Sequence, residues 1–251
     1  MGEPFVSSGT ALVVPVRRRD GSAAVLKVDR PHRESEHEAA ALARWAGDGA
    51  VRLLAVDSGG DALLIERCEP GTPLAAVDPD AAVGILVDLL PRLWTPAGPP
   101  FRTLDDEAAH WARSLTDRWE GAGRPFERRL LDAALEQMRV LAPSQEDRVL
   151  VHQDLHAGNV LRARREPWLV IDPKPLLAER AFAVAPIVRG PELGAGRRSV
   201  LRRLDRLTGE LGLDRRRAAG WTLAQTVAWA FEGGSALAHH VATARWVLDT
   251  L

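Results

Sequence analysis

A short strand-like stretch interrupts a second half of the chain that is otherwise predicted to be helical. Residues 149–151 and 168–171 are apolar and flank a polar loop. The polar side chains here are His152, Asp154, Asn159 and Asp172. Two apolar strands around a polar loop are typical of a hairpin. Such a hairpin would present two of these side chains, Asn159 and Asp172, from adjacent strand ends on one rigid element.

The residue types in this segment suit phosphoryl transfer. That reaction needs a carboxylate that orients an attacking hydroxyl and accepts its proton, and oxygen ligands that hold Mg²⁺ against the phosphates. Asp154 suits the first role. The amide oxygen of Asn159 and the carboxylate of Asp172 suit a hard cation that prefers oxygen. The segment therefore predicts Asp154 as a base and Asn159 and Asp172 as magnesium ligands.

Three other interpretations of the segment compete. An ordinary surface hairpin would not require four apt side chains at these spacings between strongly apolar strands. His152, Asp154 and His156 could ligate zinc, but a closed zinc site needs a fourth ligand and Cys68 is far away in the sequence. For the histidines alone a structural role is favoured, in which His152 and His156 hold the loop by hydrogen bonds.

The first third of the chain is predicted to form strands and one helix. Apolar residues 11–16 and 23–28, joined by turn residues 19–22, predict a hairpin. A helix is expected over about 34–46, where apolar residues recur at helical spacing. Two further strands are expected at 51–56 and 62–65.

Local signals mark the starts of three later helices. They are the Asp78 cap before Pro79, a capping box of Thr103 with Asp106, and Pro125. The first two helices are expected to end near Leu90 and Trp119, and residues 198–250 are expected to be helical as well.

This order of elements predicts an α+β fold with a small β-rich lobe and a larger helical lobe. The first lobe would span residues 1–68. A hinge or linker would follow at 69–78. The helical lobe would occupy 79–251 and carry the catalytic loop at 149–174.

Bulk properties narrow the class of protein. The formal net charge is −1, which gives no electrostatic argument for binding nucleic acid or an anionic membrane. The single cysteine, Cys68, excludes an internal disulfide and is compatible with a cytoplasmic location. The first residues lack the pattern of a signal peptide, and no apolar run reaches the ~20 residues of a membrane span. A cytoplasmic monomer that acts on a small molecule is expected.

Lysine is rare in this chain. Of 33 lysines and arginines only Lys27 and Lys174 are lysine. Where arginine is the usual cation, a lysine indicates a position that needs a compact, flexible ammonium. Both lysines are therefore candidate functional residues.

The loop and the segment after it resemble the aminoglycoside phosphotransferases and their kinase-like relatives. The resemblance rests on His152, Asp154, His156, Asn159 and the sequence Asp-Pro-Lys at 172–174. Upstream segments that contain Lys27, Glu38 and Glu66 follow in the expected order, and the branch it resembles most is that of streptomycin 6-phosphotransferase and hydroxyurea phosphotransferase. The resemblance implies a bilobal protein-kinase-like fold that uses ATP and Mg²⁺, in which the first lobe, residues 1–68, binds nucleotide.

Further roles are implied by this resemblance. Lys27 would contact the phosphates, paired with Glu38 or, less favoured, with Glu34. Backbone groups of Glu66 and Cys68 would bind the adenine edge, and Cys68 itself would be passive. Ser8 and Gly9 would lie in a loop over the phosphates. Lys174 would either assist the transferring phosphoryl group or form a salt bridge with a nearby carboxylate.

Three positions depart from the family pattern. Gln153 and Gly190 stand where relatives usually have glycine and asparagine, and Ala183 replaces an aspartate that normally braces the catalytic loop. An aminoglycoside such as streptomycin is the expected acceptor. A metabolite or sugar kinase of the same fold and a nucleotide-binding pseudokinase are the alternatives.

Overall fold

This computed structural model describes residues 4–5, 11–30 and 32–251. The predicted phosphate-covering residues Ser8 and Gly9 lie outside the described residues.

A four-stranded antiparallel sheet forms the first lobe. Its strands are β1 (Ala11–Arg17), β2 (Ala23–Asp29), β3 (Leu53–Val56) and β4 (Ala62–Glu66), in the spatial order β1-β2-β4-β3. The predicted first hairpin is confirmed. In its turn, Asp20 accepts a hydrogen bond from the Ser22 backbone N–H at 2.9 Å, and Gly21 adopts a φ of 82°, which favours glycine.

One helix of this lobe, α1 (Glu38–Trp45), contacts β3 and buries Ala41, Leu42 and Trp45 in the hydrophobic core. The predicted start at residue 34 was wrong, because residues 34–37 form turns. The Ser35 hydroxyl there bonds the carbonyl and ring of His32. Such local side-chain bonds compete with the helical ladder and delay its start.

Helices make up most of the second lobe. They are α2 (Pro79–Leu93), α3 (Leu104–Gly121), α4 (Arg128–Leu141), α5 (Ala185–Arg189), α6 (Arg197–Leu211), α7 (Arg215–Ala228) and α8 (Ala238–Leu248). The predicted caps are confirmed: Asp78 accepts from the N–H groups of Asp80 and Ala81, and Thr103 accepts from that of Asp106. These side chains satisfy donors that have no partner within their helices.

Two helix limits differ from the prediction. α2 continues through Pro91 to Leu93, because a proline near the end of a helix removes only one backbone hydrogen bond. The helix expected from Pro125 begins at Arg128. The segment before it is held as a turn, in which the Phe126 carbonyl accepts from the Trp119 indole at 3.0 Å.

α7 lies at the centre of the second lobe. All its residues from Ala218 to Ala228 are buried, and it packs against α4, α5 and α8. A helix buried on every side is expected to be apolar all round. This one also buries Thr222, Gln225 and Thr226, so it places polar groups inside the lobe.

Four short strands carry the predicted catalytic segment. They are β5 (Arg148–Val151), β6 (Val160–Arg162), β7 (Trp168–Val170) and β8 (Leu176–Glu179). The predicted single hairpin was wrong, since β5 pairs with β8 and β6 pairs with β7. A further pair that sequence patterns did not reveal follows α7, formed by β9 (Phe231–Glu232) and β10 (Ser235–Ala236).

The β6–β7 turn ties the two lobes together. The Arg165 guanidinium donates to the carbonyls of Gly47 and Ala50 at 2.7 and 2.9 Å and to the Glu66 carboxylate at 2.9 Å. The connection between the lobes is fixed to the same element, because Gly71 donates to the Arg162 carbonyl at 3.0 Å.

Among the described residues, no helix has the length and apolar character that crossing a bilayer requires.

Candidate active site

A cleft of about 630 Å³ lies between the two lobes. This volume falls within the usual range of small-molecule sites. All eight predicted site residues that the structure describes line it: Lys27, Glu38, Glu66, Cys68, Asp154, Asn159, Asp172 and Lys174. Residues up to 147 positions apart in the chain, from Lys27 to Lys174, are thus brought into one place.

Lys27 lies on β2 with its ammonium between two carboxylates. Its Nζ is 2.5 Å from Glu38 Oε2 and 2.5 Å from Asp172 Oδ1. Burial alone would lower the pKa of Lys27, but Glu38 and Asp172 outweigh it and raise the pKa above its ordinary value. Lys27 therefore stays charged, and its helix partner is Glu38.

Glu34, the less favoured partner, is not among the residues that line the cleft. It precedes α1, and burial raises the pKa of its carboxyl, with Lys174 acting in the opposite direction and Asp154 in the same one. Glu34 is thus electrostatically coupled to the predicted base.

His152 anchors the predicted catalytic loop through both of its ring nitrogens. Its Nε2 donates to the Ile171 carbonyl at 2.9 Å, and its Nδ1 accepts from the Asp154 backbone N–H at 3.3 Å. Since a carbonyl only accepts and a backbone N–H only donates, the ring is neutral with its proton on Nε2. Burial lowers the pKa of His152 to about 4. The structural role expected for this histidine agrees with these contacts.

His156 also bonds the backbone. Its Nδ1 accepts from the Gly158 N–H at 3.1 Å, which caps the short 3-10 turn Ala157–Asn159. This contact agrees with the structural role expected for His156 as well.

Neutral burial of His152 predicts a loss of stability in acid. The unfolded chain binds a proton near the ordinary pKa of 6.5, whereas the folded chain resists it until about pH 4. Stability is therefore complete above pH 6.5 and is lost as pH falls from 6.5 towards 4, by about 3 kcal/mol at 1.36 kcal/mol per pH unit. Urea unfolding at pH 7.5, 5.5 and 4.5 measures this slope.

A pair of variants isolates the contribution of His152. His152→Asn cannot titrate and should flatten the acid slope by that amount. His110→Asn removes an exposed histidine of α3 and should leave the slope unchanged. An unchanged slope in His152→Asn would show that His152 is not buried as the neutral form.

Asp154 is held by a cation on each carboxylate oxygen. Lys174 Nζ lies 2.5 Å from Oδ2, and Arg189 Nη2 lies 3.5 Å from Oδ1. Burial alone would raise the pKa of Asp154, but Lys174 and Arg189 outweigh it and keep the pKa below its ordinary value. Asp154 is therefore ionised at neutral pH and is oriented by both contacts.

Asn159 and Asp172 flank the β6–β7 hairpin. The Ile171 N–H donates to the Asn159 carbonyl at 2.9 Å, which keeps the two ends of the hairpin together. The Asn159 side-chain amide donates to the Asp154 carbonyl at 3.0 Å, so its amide oxygen is the end left for a ligand. Asp172 has a φ of 56° and a side chain that is 43% exposed.

This donor set suits Mg²⁺. Within the part of the chain that the structure describes, no three His, Cys, Asp or Glu side chains lie close enough to hold a metal. Mg²⁺ does not need such a cage, because it uses one or two protein oxygens together with waters and substrate phosphates. Asn159 and Asp172 supply two oxygens of this kind.

Six charged side chains of alternating sign form a row, which we call the charge chain. Five of them line the cleft, and the sixth, Arg189, is buried. The members of the charge chain in order are Glu38, Lys27, Asp172, Lys174, Asp154 and Arg189. Neighbouring charged atoms are 2.5 to 3.9 Å apart. The charge chain joins the end of the cleft at α1 to the catalytic loop.

The predicted hinge residues Glu66 and Cys68 also line the cleft. The Glu66 carboxylate binds Arg165, and its backbone N–H donates to the Arg52 carbonyl at 2.9 Å. That N–H is therefore not available to a ligand. Burial, with Glu66 adding to it, raises the pKa of the Cys68 thiol to about 12, so a passive side chain is expected there.

Sequence reasoning assigned no role to Arg189, Gln225 or Trp229. Arg189 is 6% exposed and stacks on Trp229, with its Cζ 4.7 Å from the ring centroid. The one signal for Arg189 was a single arginine at the end of the apolar run 181–188. Gln225 and Trp229 lie too far along the chain for any local pattern to connect them with the loop.

Comparison with known proteins agrees with this geometry. The profile of the aminoglycoside/hydroxyurea antibiotic resistance kinases matches residues 2–234, which is most of the chain. The chain belongs to this family. It is therefore a phosphotransferase that acts on a hydroxyl group of a small molecule.

Two curated relatives are similar over most of their length. The kinase is 43% identical to streptomycin 6-kinase of Streptomyces glaucescens over 240 residues, which is 92% of this chain and 78% of that one. It is 42% identical to hydroxyurea phosphotransferase of Kitasatospora aureofaciens over 242 residues, covering 92% and 69% of the two chains.

A solved structure shares the fold. Choline kinase from Streptococcus pneumoniae superposes with a TM-score of 0.64 at 13% identity, covering 98% of this kinase and 90% of that chain. The predicted α+β, bilobal protein-kinase-like fold is thus confirmed.

Proposed function

We propose that this kinase transfers the γ-phosphate of ATP to the 6-hydroxyl of streptomycin. The single observation that supports the acceptor most strongly is the 43% identity to streptomycin 6-kinase over 92% of the chain. The cleft supports the reaction type, because a carboxylate suited to be a base and two oxygen ligands suited to Mg²⁺ line it together.

Asp154 acts as the base in this proposal. Its carboxylate is ionised and held by Lys174 and Arg189, so it can orient the acceptor hydroxyl and accept its proton as the new P–O bond forms. Lys174 lies between Asp154 and Asp172, where its charge can stabilise negative charge that develops on the transferring group.

Lys27 and Glu38 act at the phosphate end. Glu38 holds the ammonium of Lys27, which can then contact the phosphates. Asn159 and Asp172 would hold Mg²⁺, which neutralises phosphate charge when it is bound. Backbone groups near Glu66 and Cys68 would contact the base of the nucleotide, with the Cys68 thiol passive.

Carboxylates near Asp154 suit a cationic acceptor. Glu34 is partly buried and coupled to Asp154 and Lys174. Glu192 accepts from the Ala157 N–H of the catalytic loop at 3.0 Å. The proposed acceptor carries guanidinium groups, which pair well with carboxylates.

Hydroxyurea is the second candidate acceptor, because the hydroxyurea phosphotransferase is almost as similar, at 42% identity. The monomeric state and the cytoplasmic location stay predictions.

An acceptor panel tests the proposal. Magnesium-dependent ADP release is measured with streptomycin, other aminoglycosides, hydroxyurea and simple sugars, and the product is identified by mass and by NMR. Streptomycin phosphorylated at its 6-hydroxyl is the expected product. Turnover with hydroxyurea alone would favour the second candidate, and tight ATP binding without turnover of any acceptor would favour a pseudokinase.

A further inference from the structure

Gln225 of α7 links the catalytic loop to a buried arginine. Its side chain is fully buried, its Nε2 donates to the Gln153 carbonyl at 3.0 Å, and its Oε1 accepts from Arg189 Nη1 at 2.7 Å. A carbonyl only accepts and a guanidinium only donates, so these two partners fix which end of the amide is which. The Gln225 amide therefore joins the Gln153 carbonyl and the Arg189 guanidinium in a single orientation.

Arg189 continues this link to the base. Its second nitrogen, Nη2, lies 3.5 Å from Asp154 Oδ1, and its planar group stacks on Trp229. Burial of an arginine costs free energy unless the charge is paired and hydrogen-bonded. Within the described residues Asp154 is the acid that forms an ion pair with it. The guanidinium of Arg189 thus contacts Gln225 through Nη1 and Asp154 through Nη2.

The catalytic loop needs such support. Gln153 has a φ of 63°, a left-handed conformation that costs a side-chain-bearing residue roughly 1 kcal/mol or more. Both polar atoms of its buried side chain lack hydrogen-bond partners. Ala183 is buried and has no side-chain group that could brace the loop.

We propose that Gln225 and Arg189 are positioning residues that fix Asp154 for phosphoryl transfer, Gln225 by holding the loop carbonyl and Arg189 by holding the carboxylate. This inference rests on the proposed role of Asp154 as the base. It gives α7, none of whose residues line the cleft, an indirect effect on turnover through Gln153 and Arg189.

We call the contacts from Gln225 to the Gln153 carbonyl and to Arg189, and from Arg189 to Asp154, the brace. Two variants test it. Gln225→Met removes both hydrogen bonds with little change in volume. Arg189→Lys keeps the positive charge but removes the planar guanidinium with its two terminal nitrogens. A single ammonium cannot contact both Gln225 and Asp154 in the same way. Each should lower kcat at least about tenfold, because small displacements of a reacting group cost up to about a hundredfold in rate. The KM for ATP should change by less than about twofold. Since partial unfolding also lowers apparent kcat at constant KM, kcat is expressed per folded enzyme, with the folded fraction measured by circular dichroism.

Two controls match these variants in burial. Thr222→Val removes a buried hydrogen bond one turn earlier in α7, where Thr222 bonds the Ala218 carbonyl. Arg203→Lys alters another buried arginine, which donates to the carbonyls of Val188, Leu193 and Gly194. Both should lower thermal stability and leave kcat unchanged.

Amide hydrogen exchange supplies a readout that needs no turnover. Exchange over residues 152–159 should quicken in Gln225→Met and not in Thr222→Val. Unchanged loop exchange together with unchanged kcat in Gln225→Met would overturn the brace, and so would equal losses of kcat in the controls. An inactive parent whose loop exchange still depends on Gln225 would overturn the proposed function and leave the brace in place.

Discussion

Replacement of Asp154 by asparagine should reduce turnover at least about a thousandfold, while ATP still binds. Asparagine has nearly the same shape and retains one oxygen for Lys174, so the loop should keep its conformation. It cannot accept the proton of the acceptor hydroxyl, and loss of an essential catalytic group costs about this much in kcat. Steady-state kinetics gives kcat, and calorimetry gives the affinity for ATP.

Asp132→Asn is the matched control for this variant. Asp132 is an exposed carboxylate of α4 that pairs with Arg128, 2.7 Å away, and it does not line the cleft. The same chemical change there should leave kcat unaltered. Comparable turnover in Asp154→Asn and the parent would show that another group accepts the proton.

The second large effect is expected for Asp172→Asn. Removing the charged magnesium ligand leaves two neutral amide oxygens at the β6–β7 hairpin, which bind a hard cation more weakly. At about 1 mM free Mg²⁺, kcat should fall at least about a hundredfold, and excess Mg²⁺ should restore part of it. The measurement is the dependence of initial rate on Mg²⁺ concentration at saturating ATP.

Asp29→Asn separates metal binding from the effect on Lys27. The Asp29 carboxylate lies 3.9 Å from Lys27 Nζ, so its removal also changes the charge around that lysine. It is not among the residues that line the cleft, and its replacement should leave the Mg²⁺ dependence nearly unchanged. An unchanged Mg²⁺ dependence in Asp172→Asn would remove Asp172 from the proposed metal ligands.

Locally encoded features were predictable from the sequence. The hairpin of β1 and β2 follows from apolar strands around a turn with Asp20 and Gly21, and the caps Asp78 and Thr103 act within their own helices. Such contacts join residues a few positions apart, so composition and spacing reveal them.

Contacts between distant segments were not predictable in this way. The pairing of β5 with β8 depends on tertiary packing, because the apolar runs at 149–151 and 168–171 would suit a direct hairpin equally well. Glu34 and Glu38 are four positions apart, so a helix over 34–46 would place both on one face. The turn at Ser35 leaves Glu34 outside the helix, and only Glu38 meets Lys27.

The support for Asp154 shows the same limit. Arg189 and Gln225 are 36 positions apart, and Gln225 is 72 positions from Gln153. In the sequence Gln225 is one polar residue in a helix of mixed character, and only the burial of α7 shows that its amide must have partners.

The charge chain also bears on which ligands the cleft can admit. Three carboxylates alternate with three cations, so the row is neutral when all six are ionised. An entering charged ligand therefore replaces an ion pair within the row by an ion pair with itself. Its affinity reflects the difference in free energy between the pair that is lost and the pair that forms. Burial raises the pKa of Glu38 to about 7, so the row is neutral above that pH and carries a net positive charge below it. When it is neutral, the row repels neither a polyanionic donor nor a polycationic acceptor. We expect this row to add little ionic-strength dependence to the binding of either ligand, because a neutral row exerts little long-range attraction. Any salt dependence of acceptor binding would then come from Glu34 and Glu192, which lie outside the row.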